Sequence, residues 1–377
     1  MRLSLAIDAV GTKHSGGATV LTDVLTAAAA DARFDRVSVF CSPRGHRTFD
    51  LPLSNKIREI ECGFSESSRI CRLWRSQFRL PSEVLKLGAD VLLCMSGIGS
   101  AGQHIPHVTF VQQSLPFSPE ALARISTFER LRMGVMWRAM KRSCTSSRQV
   151  IVQTPTMRRR VAEVFGIPSA QITVALPAVD DLPEPVEPSK RLAAMRETQP
   201  TLRLLYVGNQ SAYKNVTFVI GAMRELRTGL PGLKIFLTWP ADHPACRMEG
   251  VVGLGYLRGA ELREAYELAT VLVMPSLVET VGLPMLEAMN AGTPVVAADR
   301  PYAHDVCEDA AVFFDPLDVG DLTGKVLAVL GDERLRDQLV QRGQDVIRKR
   351  RSEKPYERML DIVANAAAGR GQIELSR

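Results

Sequence analysis

Two glutamates separated by seven residues, Glu279 and Glu287, frame the stretch of this sequence whose residue types and spacing best suit chemistry. Between them lies Thr280-Val281-Gly282-Leu283-Pro284, a tight glycine-containing turn that ends in a proline of the kind favoured in the first turn of a helix. A helix starting near Pro284 leaves the backbone N–H groups of Thr280, Val281, Gly282 and Leu283 without intrahelical acceptors, and the helix dipole adds positive potential at the same point. Such a terminus suits a diphosphate. An acid beside a diphosphate is costly unless it meets donors, and sugar or ribose hydroxyls are suitable donors. The plainer alternative makes both glutamates solvated charges at a helix end.

A second stretch, Leu204-Leu205-Tyr206-Val207-Gly208-Asn209-Gln210-Ser211-Ala212-Tyr213-Lys214-Asn215, reads as a strand running into a glycine loop with one cation. Lys214 can act there as a point charge on a diphosphate leaving group, or it can be an exposed lysine of an ordinary strand-to-helix loop. The third candidate, Gly16-Gly17, follows the first apolar strand, where missing side chains let backbone approach a phosphate or a sugar. It lacks the GxGxxG spacing of a dinucleotide site.

These loops need strands and helices to hold them. The chain opens as strand Arg2 to Asp8, a loop through Ser15-Gly16-Gly17, helix Ala18 to Ala30 and strand Arg36 to Cys41, which is the start of a parallel α/β sheet. Apolar runs at Ala89 to Met95, His107 to Gln112 and Gln149 to Gln153 extend it, and an arginine-rich helix is expected around Phe128 to Lys141. Four prolines among acids between Leu176 and Pro188 mark a linker. A second alternation follows, with strands at Leu202 to Val207, Leu233 to Thr238, Val251 to Leu254, Val271 to Pro275 and Thr293 to Ala297. Helices fill Asp332 to Ala368, with a break at Pro355.

The expected fold is therefore α/β, with two Rossmann-like domains facing each other across a cleft. Residues 1–180 form the first domain, residues 181–350 the second, and residues 351–377 a C-terminal helical segment. A chain of 377 residues exceeds the usual span of one hydrophobic core, and 46% apolar residues supply material for two.

Charge is unevenly spread. Residues 1–180 hold 23 Lys/Arg against 14 Asp/Glu, whereas residues 181–377 hold 24 against 27, so the halves are expected to meet different partners. Arg69, Arg72, Arg75 and Arg79, and Arg130, Arg132, Arg138, Lys141 and Arg142, fall at helical spacing that suits either a solvated surface or an anionic bilayer or lipid pyrophosphate. No aromatic-basic module accompanies the charge, which argues against nucleic acid. Seven cysteines stand singly, with no metal-ligand spacing, and read as reduced thiols in the cytoplasm. The N-terminal apolar run is interrupted by Asp8 and reads as a strand rather than a signal peptide, and no apolar window is long enough to span a membrane.

With these residues in view, the chain resembles the family 4 glycosyltransferases, which are retaining, nucleotide-sugar-dependent enzymes of the GT-B fold that often build bacterial surface polysaccharides. The resemblance covers most of the second domain: Gly208 to Asn215, Gly255-Tyr256-Leu257 with Glu261-Leu262 behind it, the Glu279–Glu287 pair, and Gly292-Thr293-Pro294-Val295-Val296. It implies that Glu279 contacts donor-sugar hydroxyls, that Glu287 holds the ribose, and that Lys214 serves the diphosphate. It further implies that the backbone at Leu257 meets the nucleobase, and that Gly16 and Gly17 form the glycine loop near phosphate and acceptor. Catalytic roles thus fall to Glu279 and Lys214. Donor binding falls to Gly16, Gly17, Gly208, Asn209, Leu257, Thr280, Val281, Gly282, Leu283 and Glu287.

Neither a metal nor a cofactor is expected, the nucleotide sugar itself being the donor substrate and a glycan or lipid-linked sugar the acceptor. Three departures from the family pattern stand out. Asn209 occupies the position of a frequent arginine, leaving Arg258 as one substitute cation. Gln112-Gln113 stands where many members carry a histidine. Asp305 beside His304 replaces a common glutamate. Two other functions fit the same architecture, a nucleotide-sugar epimerase and a non-catalytic nucleotide-sugar-binding subunit.

Overall fold

The computed structural model describes residues 2–12, 16–44, 49, 51–63, 69–99 and 105–369, the side chains of Arg69, Ile70 and Arg72 excepted. Ser15 and the last residues of the expected 351–377 segment, 370–377, lie outside the described residues. The chain divides into two compact units, one built from Met1–Phe117, Ser126–Pro177 and the segment from Lys354 onward, the other from Ser118–Ile125 and Ala178–Glu353.

In the first unit the order is β1 (Leu3–Asp8), α1 (Gly16–Ala30), β2 (Phe34–Cys41), β3 (Ile57–Glu61), α2 (Arg69–Trp74), a π-helical turn (Arg75–Arg79), α3 (Leu80–Lys86), β4 (Val91–Cys94) and β5 (His107–Val111). After α4 (Pro119–Ala123), which belongs to the second unit, come α5 (Thr127–Ser146), β6 (Gln149–Val152), α6 (Pro155–Phe165) and β7 (Ile172–Val174). All strand pairs are parallel, in the order β3-β2-β1-β4-β5-β6-β7. Central strands such as Val91–Cys94 are buried at every position, as expected when helices cover both faces. Helix α5 starts at Thr127, where Ser126 and Glu129 close a capping box, and runs past the expected Lys141 to Ser146.

The second unit contains α7 (Ala193–Glu197), β8 (Arg203–Tyr206), α8 (Val216–Gly229), β9 (Lys234–Leu237), β10 (Val251–Gly253), α9 (Ala260–Leu268) and β11 (Val271–Met274). It continues with α10 (Leu283–Asn290), β12 (Val295–Ala298), α11 (Pro301–Cys307), β13 (Ala311–Phe314), α12 (Val319–Gly331) and α13 (Glu333–Ser352). Its sheet is again wholly parallel, ordered β10-β9-β8-β11-β12-β13. The chain then returns to the first unit as α14 (Pro355–Ala367), whose Met359, Leu360 and Val363 join Val20, Leu21 and Val24 of α1 in one buried cluster. No helix or strand occurs between Leu176 and Pro188, in keeping with its prolines.

Five cysteines are buried, while Cys71 in the first unit and Cys246 in the second are half-buried. No helix among the described residues is long and apolar enough to cross a membrane.

Candidate active site

In both sheets the strand order reverses direction beside the first strand of the unit, between β1 and β4 and between β8 and β11. Ligands of open parallel sheets sit outside the carboxyl ends of strands at such a reversal. In the second unit the loops leaving β8 and β11 are the two stretches singled out by residue type, 207–215 and 275–282.

The β8 loop is held rigidly. Tyr206 Oη donates to the Asn209 carbonyl at 2.9 Å, Thr238 Oγ1 accepts from Gly208 N at 3.0 Å, and Trp239 Nε1 donates to the Gly208 carbonyl at 2.9 Å. A Cβ on Gly208 would stand 2.6 Å from Tyr206 Oη, so this closed arrangement requires glycine. The loop ends in a 3-10 turn over Ala212–Lys214, followed by Asn215 in the left-handed region at φ 54°. Asparagine tolerates that conformation better than most residues, and here its Nδ2 is anchored to the Pro316 carbonyl at 3.0 Å.

The two loops are laced together. Leu277 N donates to the Tyr213 carbonyl at 2.9 Å, and Lys214 Nζ donates to Glu279 Oε1 at 2.5 Å. Both side chains are largely sequestered, 15% and 12% exposed. Burial by itself lowers the Lys214 pKa, but the adjacent Glu279 carboxylate outweighs it through charge and hydrogen bond, and the net shift is upward. Lys214 is thus a fixed cation at neutral pH.

The helix starts one residue earlier than the expected Pro284. Helix α10 begins at Leu283, with Gly282 as its N-cap at φ 78° and a proline in the first turn. A Cβ at Gly282 would meet Met285 Cε at 2.9 Å and Met274 Cε at 3.2 Å. Val281 and Gly282 are buried, while Thr280 and Leu283 are half-buried. One turn into α10, Glu287 accepts a hydrogen bond from Tyr266 Oη of α9 at 2.7 Å. Burial raises the Glu287 pKa, and the tyrosine bond pulls partly against it. A carboxylate so placed gains from hydroxyl donors that arrive with a ligand.

Leu257 lies after β10 with its side chain buried; the same loop is tied down where Gly255 N donates to the Trp239 carbonyl at 2.7 Å. Asn209 is exposed, its Oδ1 accepting from Ser211 N at 3.0 Å, and Arg258 is exposed as well. Asp305 sits within α11, where its carbonyl accepts from Arg350 Nη2 at 3.2 Å. At the start of α11 Arg300 Nη2 donates to Glu120 Oε1 of α4 at 2.9 Å, and Tyr302 Oη donates to the Ser276 carbonyl at 2.8 Å. Ser276 lies two residues past β11, so the Tyr302 contact braces the turn that carries Glu279.

In the first unit Gly16 and Gly17 do not form a loop ahead of the helix, as expected from sequence, but supply its first two residues. Packing there is close, since a Cβ on Gly17 would lie 3.1 Å from Oε1 of Gln112, the residue after β5. Among the described residues Gln112 Nε2 is buried without a hydrogen-bond partner. Among the described residues no group of three His, Cys, Asp or Glu is placed to hold a metal ion.

Sequence reasoning missed the residues that aim the site, namely Tyr206, Thr238, Trp239 and Tyr266. For Thr238 and Trp239 the adjacency of β8 and β9 was the needed signal, and it becomes visible only once strand order is known, whereas Tyr206 reaches Asn209 within its own loop. Tyr266 carried no signal at all.

Two units, each a parallel sheet with covering helices and with loops gathered at a strand-order reversal, define the α/β two-domain class of the GT-B glycosyltransferases. Sucrose-phosphate synthase from Thermosynechococcus elongatus shares this fold over 98% of the present chain and all of its own, with a TM-score of 0.75 at 17% identity. The Anabaena protein HepE, solved with UDP-glucose, matches 97% of this chain and all of its own, with a TM-score of 0.68 at 14% identity. A model described as Glycosyltransferase Family 4 matches residues 15–181, and one described as Glycosyl transferases group 1 matches residues 201–332. The chain belongs to the family 4 glycosyltransferases. Among curated relatives, O-antigen chain mannosyltransferase B of Escherichia coli is 26% identical over 225 residues, which is 56% of this chain and 59% of that protein. The chain thus spans about three fifths of that relative's length.

Proposed function

We propose that the protein transfers a sugar, with retention of configuration and without a metal, from a nucleoside diphosphate to a glycan or lipid-linked acceptor. Bacterial surface polysaccharide synthesis at the cytoplasmic face of a membrane is the process it fits. The observation that carries this reading is the pairing of Lys214 with Glu279 beside the N-terminus of α10. Lys214 and the α10 amides from Thr280 to Leu283 would neutralise charge on the departing diphosphate, the term that dominates such reactions. Glu279 would orient the sugar through its hydroxyls, and Glu287 would hold the ribose. When donor binds, Lys214 exchanges the carboxylate of Glu279 for the diphosphate, which frees Glu279 to accept from the sugar. The backbone around Leu257 would meet the base, with Asn209 and Gly208 shaping the phosphate loop and Gly16 and Gly17 giving backbone access in the first unit. The O-antigen mannosyltransferase relative and the UDP-glucose complex of HepE support a nucleotide-sugar donor and a glycan product.

A thermal-shift screen of UDP, GDP, dTDP and ADP sugars tests donor binding, since ligand at a hundred times its Kd adds about 2.7 kcal/mol to apparent stability. With the donor in hand, Glu279→Ala and Lys214→Ala should each cut turnover by a factor on the order of a hundred or more. Near-normal rates in either variant would refute its assigned role. Product analysis with donor alone separates transfer from epimerisation, because an epimerase converts the donor with no acceptor present.

A further inference from the structure

We propose that the outward face of α5 is a docking surface for an anionic lipid bilayer, an inference that rests on the lipid-linked acceptor of the reading above. The helix turns Met136, Met140, Ser143 and Cys144 into the first unit. On its opposite side Phe128, Leu131 and Val135, at i, i+3 and i+7, are 72%, 73% and 51% exposed. Further along the same face come Arg138 and Arg142, both exposed, and Arg132 flanks the stripe. Over Thr127–Ser146 the helix carries five Lys/Arg and a single acid, and that acid, Glu129, is committed to the N-terminal capping box.

An exposed aromatic pair lies in the same unit. Leu73 packs into the cluster that holds Met136 and Met140, and Gln77 Nε2 donates to the Gly99 carbonyl at 2.7 Å while Gly99 N donates to Ser143 Oγ at 2.8 Å. That anchoring beside α5 leaves Trp74 and Phe78 turned to solvent, their ring centroids 6.0 Å apart.

Apolar side chains that insert at the headgroup boundary, next to arginines that reach lipid phosphates, are the composition of an interfacial helix. The acid-poor flank complements an anionic leaflet. A polar solvated helix would have no reason to expose phenylalanine, leucine and valine in register.

The test is co-sedimentation of the full chain with phosphatidylcholine vesicles containing 30% phosphatidylglycerol, against pure phosphatidylcholine, at low and high salt. Expected are partitioning onto the anionic vesicles only, weakening with salt, and about a fivefold loss of partition for each arginine removed in Arg138→Gln/Arg142→Gln. Phe128→Ser/Leu131→Gln should lower partition by a factor on the order of ten or more, while Arg138→Lys/Arg142→Lys keeps binding. Failure of the native chain to sediment, or equal sedimentation of these variants, overturns the proposal. So does a concentration-dependent dimer that Leu131→Gln abolishes while vesicle binding persists, since the face then serves a second copy of the chain. Nucleotide-sugar thermal shifts are followed in parallel. Their loss in the native chain would sink the donor reading and leave the docking surface standing, whereas intact shifts with no sedimentation would do the reverse.

Discussion

Glu287 shows how one side chain can be held in readiness at some expense to the fold. Its raised pKa means that the folded state favours the neutral acid. The stability that this contributes is fully present below the ordinary glutamate pKa of about 4.3 and is lost as pH rises through the elevated folded value. Glu287→Gln keeps an oxygen for the Tyr266 hydroxyl but never ionises. We therefore expect its melting temperature to exceed that of the native chain at pH 7 to 8, with the advantage shrinking towards pH 4, and its affinity for donor to fall. Scanning calorimetry across that range checks the sign, and a variant less stable than the native chain at pH 8 would contradict it. Glu279 and Lys214 were legible in the sequence as residue types on glycine loops. Their direct contact was not, because it depends on β8 and β11 being neighbours.

At the scale of elements, the Gly282 turn carries the strain of the site. Its positive φ and the nearby Met285 and Met274 methyl groups leave no room for a Cβ. Gly282→Ala should cost on the order of 1–3 kcal/mol in chemical denaturation and weaken donor binding as well, because the α10 amides would be re-aimed. An unchanged denaturation midpoint would show that the turn relaxes freely. Most strands could be read from apolar runs, with bounds off by a residue or two. Those missed were β3, β7 and β13, all at sheet edges. Ile57–Glu61 has only two apolar residues among three charged ones and is only partly buried, and Ile172–Val174 spans three residues. Edge strands need less apolar material, so the signal that reveals central strands fades there. Ala311–Phe314 is apolar but short and hemmed in by acids.

For the molecule as a whole, the sequence placed a division near residue 180, and the chain changes unit between Pro177 and Ala178. It gave no hint that Ser118–Ile125 clusters with the second unit. Side-chain partners remote in sequence accompany that grouping, Glu120 with Arg300 and Arg124 with Asn215. The spacing of the cysteines has a practical consequence at this scale. Burial pushes the Cys144 thiol up to about 12 and Cys307 upward as well, so neither supplies thiolate to an electrophile. Alkylation of the native protein should therefore mark Cys71 and Cys246, the latter slowed by its own raised pKa, and all seven sites only in denaturant. Intact-mass spectrometry counts the adducts, and rapid modification of four or more thiols in the native state would contradict the burial described. Each unit thereby carries one addressable sulfur of its own, a matched pair of attachment points for a fluorescent donor and quencher that nature has already reduced to two.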